Sequence, residues 1–515
     1  MKTKTQQDEI QNYLTDASFI QGGTAERLFL PESPAEVAGI LQEANAAGMA
    51  VTIAGARTGT VGGAIPFGGY VVSMERLNRI VSIDKAAMTA VVQPGVVLGD
   101  LQKAVEAEGL FYPPDPTEWS CQIGGNIATN ASGARSFKYG ATREYIKRLK
   151  VVLADGELLS LERRCGSPRV SKGDILDLSV SPSLTVGLPQ LKVTTESGRE
   201  IVAAAPTYAV PRVRKNASGY FGQPLDAIDL FIGSEGTLGV IVEIELALLP
   251  KPEGFFSGIV FFAAQSDLLA FVDAARAASF ETRRQAACVP TIDATLLEYF
   301  DANSLGFIRE RFPETPKGMA GAVFFEQETS VENEDAVLAA WNLLLDEHNA
   351  DIDRSWFTTN EQDREKMREF RHAMPLAANE RFARNGFKKI STDMAVPPDR
   401  FRSFLKFYDD LLAPSGIEYV IFGHIGDCHL HANLFPKTEA ENERARHLYG
   451  RCVAQAIMLG GTVSAEHGIG KLKRKYLAAM MGERYLNEMA EIKRTFDPKG
   501  ILGRGNMFDE KYLNY

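Results

Sequence analysis

One run of glycines restricts this chain more than any other feature. GARTGTVGGAIPFGG, Gly55 to Gly69, separates two apolar stretches, Met49 to Ile53 and YVVSM. Glycine lets a backbone approach a ligand closely and turn its N–H groups toward an anion, so a diphosphate is the natural guest of such a loop. Two familiar phosphate loops are excluded. No Gly-Lys-Ser/Thr ends the run, and a dinucleotide fold would continue into a helix where this chain returns to strand. Just upstream, PESPAEVAGILQEANAAG predicts a helix, with Ser33 as cap, Pro34 at its first position, Glu36 closing a capping box and Gly48 as stop. Val37, Ile40, Leu41 and Ala44 fall on one face, so helix and following strand form an α/β unit.

Further polar, glycine-bearing segments follow. TAVVQPGVVLGDLQKAVEAEGL reads as strand, turn at Pro94 and Gly95, and helix with Leu101, Ala104 and Val105 inward. Pro113 to Ile146 is dense in Gly, Asn, Thr and Ser, which sets hydrogen-bonding groups against a large polar ligand. At 515 residues the chain exceeds one compact core and implies roughly two to four domains. Its net charge of -10 argues against a general nucleic-acid binder. Five cysteines without CxxC spacing fit a reducing compartment. MKTKTQQDEIQNYL lacks the apolar core of a secretory signal, and there is no run of roughly 18 apolar residues. The expectation is a cytoplasmic protein without an integral membrane segment, with peripheral contact at the inner membrane left open.

In order along the chain, GARTGTVGG, PPDP, IGGNIATNASG, KYG, VVLADG and IGSEGTLGVI together resemble the FAD-binding domain of the vanillyl-alcohol oxidase superfamily. The resemblance implies an α+β protein: a two-part FAD-binding domain over 21–252 after an N-terminal tail of 1–20. A substrate domain with an antiparallel sheet then spans 253–515, its C-terminal segment packing back on the first. The implied FAD contacts are Gly55, Ala56, Arg57, Thr58, Gly59, Thr60 and Gly62, then Asp115, Gly124, Gly125, Asn126, Thr129, Asn130 and Gly133, and finally Glu235, Gly236, Gly239 and Ile241. Ala56 and Arg57 interrupt what is usually a run of glycines. Members that tether flavin covalently use a histidine in this domain; the first histidine here is His348, so noncovalent FAD is expected. From Glu162 to Ala209 the chain elaborates on a minimal domain, and Arg163, Arg164, Arg169 and Lys172 read as a basic, solvated face.

Beyond the linker PKPEG, FFSGIVFFA and AGAVFFEQET read as strands, and SDLLAFVDAARAA and WNLLLDEHN as helices. Four of the seven histidines crowd into HIGDCHLHANLF and SAEHGIG, at 424, 429, 431 and 467, with Glu466 adjacent. Imidazoles gathered beside a carboxylate point to a metal or an acid/base site. In an extended chain His429, His431 and Asn433 share a face.

These strings resemble the D-2-hydroxyacid dehydrogenase branch, whose members act on D-lactate, glycolate or D-2-hydroxyglutarate. Carried over by position, the metal ligands are His424, His431 and Glu466, a set suited to zinc, with manganese or iron as alternatives. His467 is the implied general base, while Arg371 of EKMREFRHAMP and Asn433 hold the substrate carboxylate. The metal would aid deprotonation of the 2-hydroxyl as hydride passes to flavin N5. STDMAVPPDRF matches the D-lactate dehydrogenase-like members, and Ser391 stands where hydroxyglutarate enzymes carry lysine. Cys428 and His429 replace the usual Gly-Asn, leaving His429 as fourth ligand, a group behind the ligands or a substrate contact. The electron acceptor, whether quinone, electron-transfer protein or cytochrome, is not named by the sequence. KLKRK at Lys471 to Lys475 reads as a solvated helix face. The competing readings are a flavin-dependent synthase akin to alkylglycerone-phosphate synthase and, without redox chemistry, a zinc hydrolase.

Overall fold

The computed structural model describes residues 1–163, 190–224, 226–285, 292–358 and 360–513. The first sheet orders the strands Lys2–Lys4, Arg27–Leu30, Tyr70–Ser73 and Val51–Ala54, the last three mutually parallel. The helix Pro34–Ala47 buries Val37, Ile40, Leu41 and Ala44, the four residues its periodicity selects. Ser33 accepts a hydrogen bond from the Glu36 amide, and Gly48 ends the helix at φ 65°. The glycine run joins Val51–Ala54 to Tyr70–Ser73 with no helix between them. Its backbone amides are therefore not tied up in a helical ladder.

A second, antiparallel sheet of five strands follows the order Ile80–Asp84, Thr89–Val92, Val240–Ala247, Ile146–Val152 and Leu158–Glu162. Its middle strand alternates buried and half-buried residues, as one face packed on the core requires.

The second half is built on an antiparallel sheet of eight strands. Its path runs Trp356–Phe357, Gly254–Phe262, Gly321–Thr329, Ala294–Asp301, Glu418–Gly423, His429–Phe435 and Ile390–Ser391, and Met394–Ala395 pairs with His429–Phe435 off that path. Sequence patterning gives no part to ATLLEYFD, yet all eight of its residues are buried, because the strand lies inside the sheet. The end of the chain returns to the first half: the Val51 amide donates to the Ile501 carbonyl at 2.7 Å, and Gly503 donates back to Val51 at 2.9 Å. Among the described residues no helix is long and apolar enough to cross a membrane.

Two charge readings need correction. Arg163 is not on a solvated face: its guanidinium pairs with Asp229 at 3.0 Å, beside Arg143, and is only 11 % exposed. Arg164, Arg169 and Lys172, like SVSPSLTVGL, lie outside the described residues. Nor is KLKRK a uniform solvated face. Lys473 is buried against Asp393, and Lys471 donates to Asn506 and to the Gly62 carbonyl. A charged side chain is buried only where partners replace its water, and both lysines find them.

Candidate active site

An open cleft of about 1060 Å³ lies between the glycine run, the helix Ile123–Thr129 and the segment Ser234 to Ile241. Thirteen of the expected FAD contacts line it: Gly55 to Gly59, Gly124, Gly125, Asn126, Thr129, Glu235, Gly236, Gly239 and Ile241. Thr60, Gly62, Asp115, Asn130 and Gly133 stand outside its lining. Asn130 instead caps the Ile123–Thr129 helix in a left-handed turn, its side chain accepting from the Arg143 amide. Asp115 accepts from the Trp119 indole.

The cleft fits a large polar cofactor on two counts. A side chain on Gly59 or Gly125 would meet no protein atom within 4 Å, so protein packing does not demand glycine there. And one carboxylate oxygen of Asp16 and the amide oxygen of Gln122, both in the lining, are buried without a partner, a costly state unless a ligand satisfies them. Glu235 accepts the Ile469 and Gly470 amides, each at 2.6 Å, yet burial pushes its carboxyl up to about 7. Arg57 lays its guanidinium 4.5 Å over the Tyr13 ring.

The histidines gather at the edge of this cleft. Position 468, beside His467, abuts Glu235 and Thr129, two residues of the lining. Glu466 stands at the middle of the group. His424 Nε2 lies 3.4 Å from its Oε2, His431 Nε2 3.2 Å from Oε1, and His429 Nδ1 3.8 Å from Oε2. Ligand atoms of His424, His429, His431 and Glu466 all fall within 4.8 Å of one another. The expected ligands therefore come together, with His429 added.

Strand register accounts for this. Phe422 pairs with His431 and Tyr299 with Gly423, so the next residues along, Glu298 and His424, also meet. Glu298 is the only carboxylate between Ala294 and Phe300, and it holds His424 Nδ1 at 2.5 Å and Arg371 Nε at 3.4 Å. Burial alone would raise its pKa, but His424 and Arg371 bring it down to about 2. Burial likewise opposes charge on His424, and Glu298 outweighs it, raising that imidazole to about 9. His431 Nδ1 faces the Thr392 carbonyl oxygen at 2.8 Å. Each of these two rings thus has its outer nitrogen fixed and the other turned to Glu466, the arrangement in which imidazoles bind metals.

Asp393 organises the other side. It accepts from the Lys473 ammonium, the Ser464 hydroxyl at 2.7 Å and the amides of Glu466 and His467, and it lies 3.4 Å from His467 Nδ1. Burial would raise its pKa; His467 and Lys473 hold it well below the ordinary carboxylate value. His467 is 29 % exposed and stacks on His431, ring centroids 5.3 Å apart. Burial lowers its pKa while Asp393 pulls the other way, so the ring is neutral near pH 7.

Lys215, from KNASGY, is fully buried and donates to Glu466 at 3.1 Å and to the Gly133 carbonyl at 2.8 Å. Against burial, Lys215 and His424 hold Glu466 well below the ordinary value. Asp427 binds Arg214 at 2.8 Å and the Ser136 hydroxyl at 2.8 Å, fastening the HIGD turn to the first half of the chain. Asn433 is buried, its amide oxygen unpartnered.

Lys215, Glu298 and Asp393 were not named from sequence. Glu298 left a usable signal, since a carboxylate inside an apolar strand needs a partner. Lys215 left none, because only the fold brings it to Glu466. Cys428 adopts a left-handed conformation at φ 56°, where a glycine would sit without strain.

Comparison with known proteins agrees with this architecture. A family model described as FAD binding domain matches residues 25–162, and one described as FAD linked oxidases, C-terminal domain, matches 265–507. The chain is 28 % identical to a D-lactate dehydrogenase of Anaerostipes hadrus, over 97 % of this chain and 93 % of that one. It is 29 % identical to glycolate oxidase subunit GlcD of Bacillus subtilis (strain 168), over 96 % and 92 %. The fold matches 4-ethylphenol oxidase from Gulosibacter chungangensis with a TM-score of 0.67 at 16 % identity, covering 99 % of this chain and 95 % of that one.

Proposed function

Since the chain belongs to the FAD-linked oxidases, we propose that it oxidises a small D-2-hydroxyacid, D-lactate or a near relative, to the 2-oxo acid. One observation carries the reading: the partly exposed imidazole of His467 stands beside a cluster of side chains able to hold a metal and next to the wall of the cofactor cleft. FAD held in that cleft supplies a two-electron acceptor, and a divalent cation held by His424, His431 and Glu466 supplies a Lewis acid for the substrate hydroxyl. Zinc suits two imidazoles and a carboxylate, and manganese or iron is compatible with them.

The chain's own residues do the rest. His467 takes the hydroxyl proton; Asp393, itself neutralised by Lys473, holds the ring by Nδ1 and turns Nε2 to within 3.7 Å of Glu466 Oε1, the side where the substrate hydroxyl would sit. Arg371 binds the substrate carboxylate. Its guanidinium has five N–H donors, of which Glu298 engages the Nε group, and the planar fork keeps a face for a second carboxylate. Asn433, on the strand face of His429 and His431, orients the same group. Lys215 steadies Glu466 and adds positive charge where an alkoxide develops. Electrons then leave the protein to a quinone, an electron-transfer protein or a cytochrome.

The test is anaerobic mixing of the purified flavoprotein with paired D- and L-hydroxyacids while following the visible flavin absorbance. Bleaching by D-lactate or D-2-hydroxybutyrate and not by their L-enantiomers is expected. Equal bleaching by both series, or none by any 2-hydroxyacid, would remove the assignment.

A further inference from the structure

His429 has no role in the reaction just described, yet it is fully buried at the heart of the site. Its Nε2 lies 3.2 Å from Asp393 Oδ1 and its Nδ1, at 3.8 Å, is beyond hydrogen-bond reach of Glu466 Oε2; neither nitrogen makes a well-formed hydrogen bond. An unsatisfied buried polar group costs about 1–3 kcal/mol, so the arrangement calls for a partner.

Donor and acceptor chemistry says which kind. A neutral imidazole has one N–H and one lone pair. Placed between two carboxylates, it can donate to one only and must aim its lone pair at the other anion. Doubly protonated imidazole would satisfy both, but each carboxylate already has an ammonium, Lys473 on Asp393 and Lys215 on Glu466. A metal cation between Nδ1 and Glu466 removes the conflict: Nε2–H donates to Asp393 and the Nδ1 lone pair becomes a ligand.

Geometry agrees. His424, His429 and His431 surround one carboxylate, each with its second nitrogen facing a different oxygen: Glu298, Asp393 and the Thr392 carbonyl. In tetrahedral coordination with bonds of about 2.1 Å, ligand atoms stand about 3.4 Å apart. A set within 4.8 Å reaches that by small side-chain rotations. The other two roles fit less well. The ring is closed off by His431 at 4.5 Å and His424 at 5.4 Å between centroids, so a substrate has no approach. As a group behind the ligands it would have to donate from Nδ1 to Glu466, which leaves its Nε2 lone pair against Asp393.

Resting on the metal reading above, we propose that His429 is a fourth protein donor, making the centre three imidazoles and one carboxylate. A substrate oxygen would be a fifth ligand to a cation held there. An extra nitrogen favours borderline metals over magnesium or calcium and slows metal release.

The test uses the FAD holoenzyme. Protein stripped by chelator and reloaded with one equivalent of Cu(II) is examined by electron paramagnetic resonance for the number of coupled nitrogens, and release of Zn(II) to a chelator is timed for wild type and His429→Asn. Three imidazole nitrogens in wild type, two in the variant, and at least about tenfold faster zinc release in the variant are expected. Two nitrogens in the wild-type spectrum overturn the proposal whether or not the variant folds. An unchanged release rate in a variant that keeps its flavin spectrum overturns it as well. A wild-type holoenzyme that takes up no stoichiometric metal defeats the metal reading itself, a different result.

Discussion

The cofactor cleft and the histidine centre are neighbours built in opposite ways. The cleft draws glycines from three segments, Gly55 to Gly63, Gly124–Gly125 and Gly236 to Gly239, and among its other lining residues ionisable side chains are few. The centre is almost wholly side chain, drawing on Lys215, Glu298, Arg371, Asp393, the strand from His429 and the Glu466–His467 pair. A glycine-lined site is spoiled by adding atoms, whereas a side-chain site is spoiled by removing them or by loosening what orients them. The centre also concentrates charge, so its groups shift one another's pKa, while at Glu235 in the cleft wall burial outweighs the opposing pull of the Ile469 and Gly470 amides and of Lys471 and Lys473.

Changes that act on one region and spare the other sharpen this contrast. The largest expected effect is His467→Ala. Removing a general base lowers kcat/KM by about 10² to 10⁴-fold, while the flavin stays bound and its absorbance is unchanged. Loss of flavin in that variant, or reduction at the normal rate, would show that the two regions are not separable in this way.

Gly124→Ala attacks the cleft. The added methyl would lie 2.6 Å from Pro94 Cβ and 3.1 Å from its carbonyl oxygen, against a rigid ring. Overpacking of this kind costs about 1–3 kcal/mol. Flavin affinity and the thermal midpoint should both fall, and metal content should not; a variant that keeps wild-type flavin affinity would mean the helix Ile123–Thr129 can shift freely.

The smallest effect is one of pH. Glu235 titrates at about 7 in the fold against an ordinary 4.5, so the folded state holds a proton that the unfolded state has lost between those values. Its contribution to stability is therefore greatest below pH 4.5, declines as pH rises to 7 and is flat above, a total on the order of 3 kcal/mol. Thermal midpoints of holoenzyme and Glu235→Gln compared from pH 4.5 to 8 should converge or cross in that direction. A wild type that gains stability over the variant as pH rises would show that the Ile469 and Gly470 amides keep the carboxylate ionised throughout.

Much of this was legible before the fold. The helix after Ser33, the strand–loop–strand around Gly55 and the lining at Gly124 to Thr129 follow from local pattern, because capping, turn chemistry and backbone access depend on near neighbours. The gathering of His424, His431 and Glu466 was legible too, since two short motifs carry them. Charges were read least well. Arg163 and Lys473 sit in basic runs that look solvated, and each is buried by a carboxylate far away in the chain, Asp229 and Asp393. Composition cannot foresee such partners.

By itself, then, the sequence determined the kinds of site: a glycine-lined cradle and an imidazole cluster, each encoded within a few residues. Only the tertiary structure decided how they act together. Antiparallel register set Glu298 behind His424, the turn at Gly468 brought His467 to the cleft wall, and Lys215 reached Glu466 across 251 positions. Which ring nitrogen faces Glu466 and which faces another oxygen depends on those long-range placements. The roles of His429 and Asp393 rest there as well.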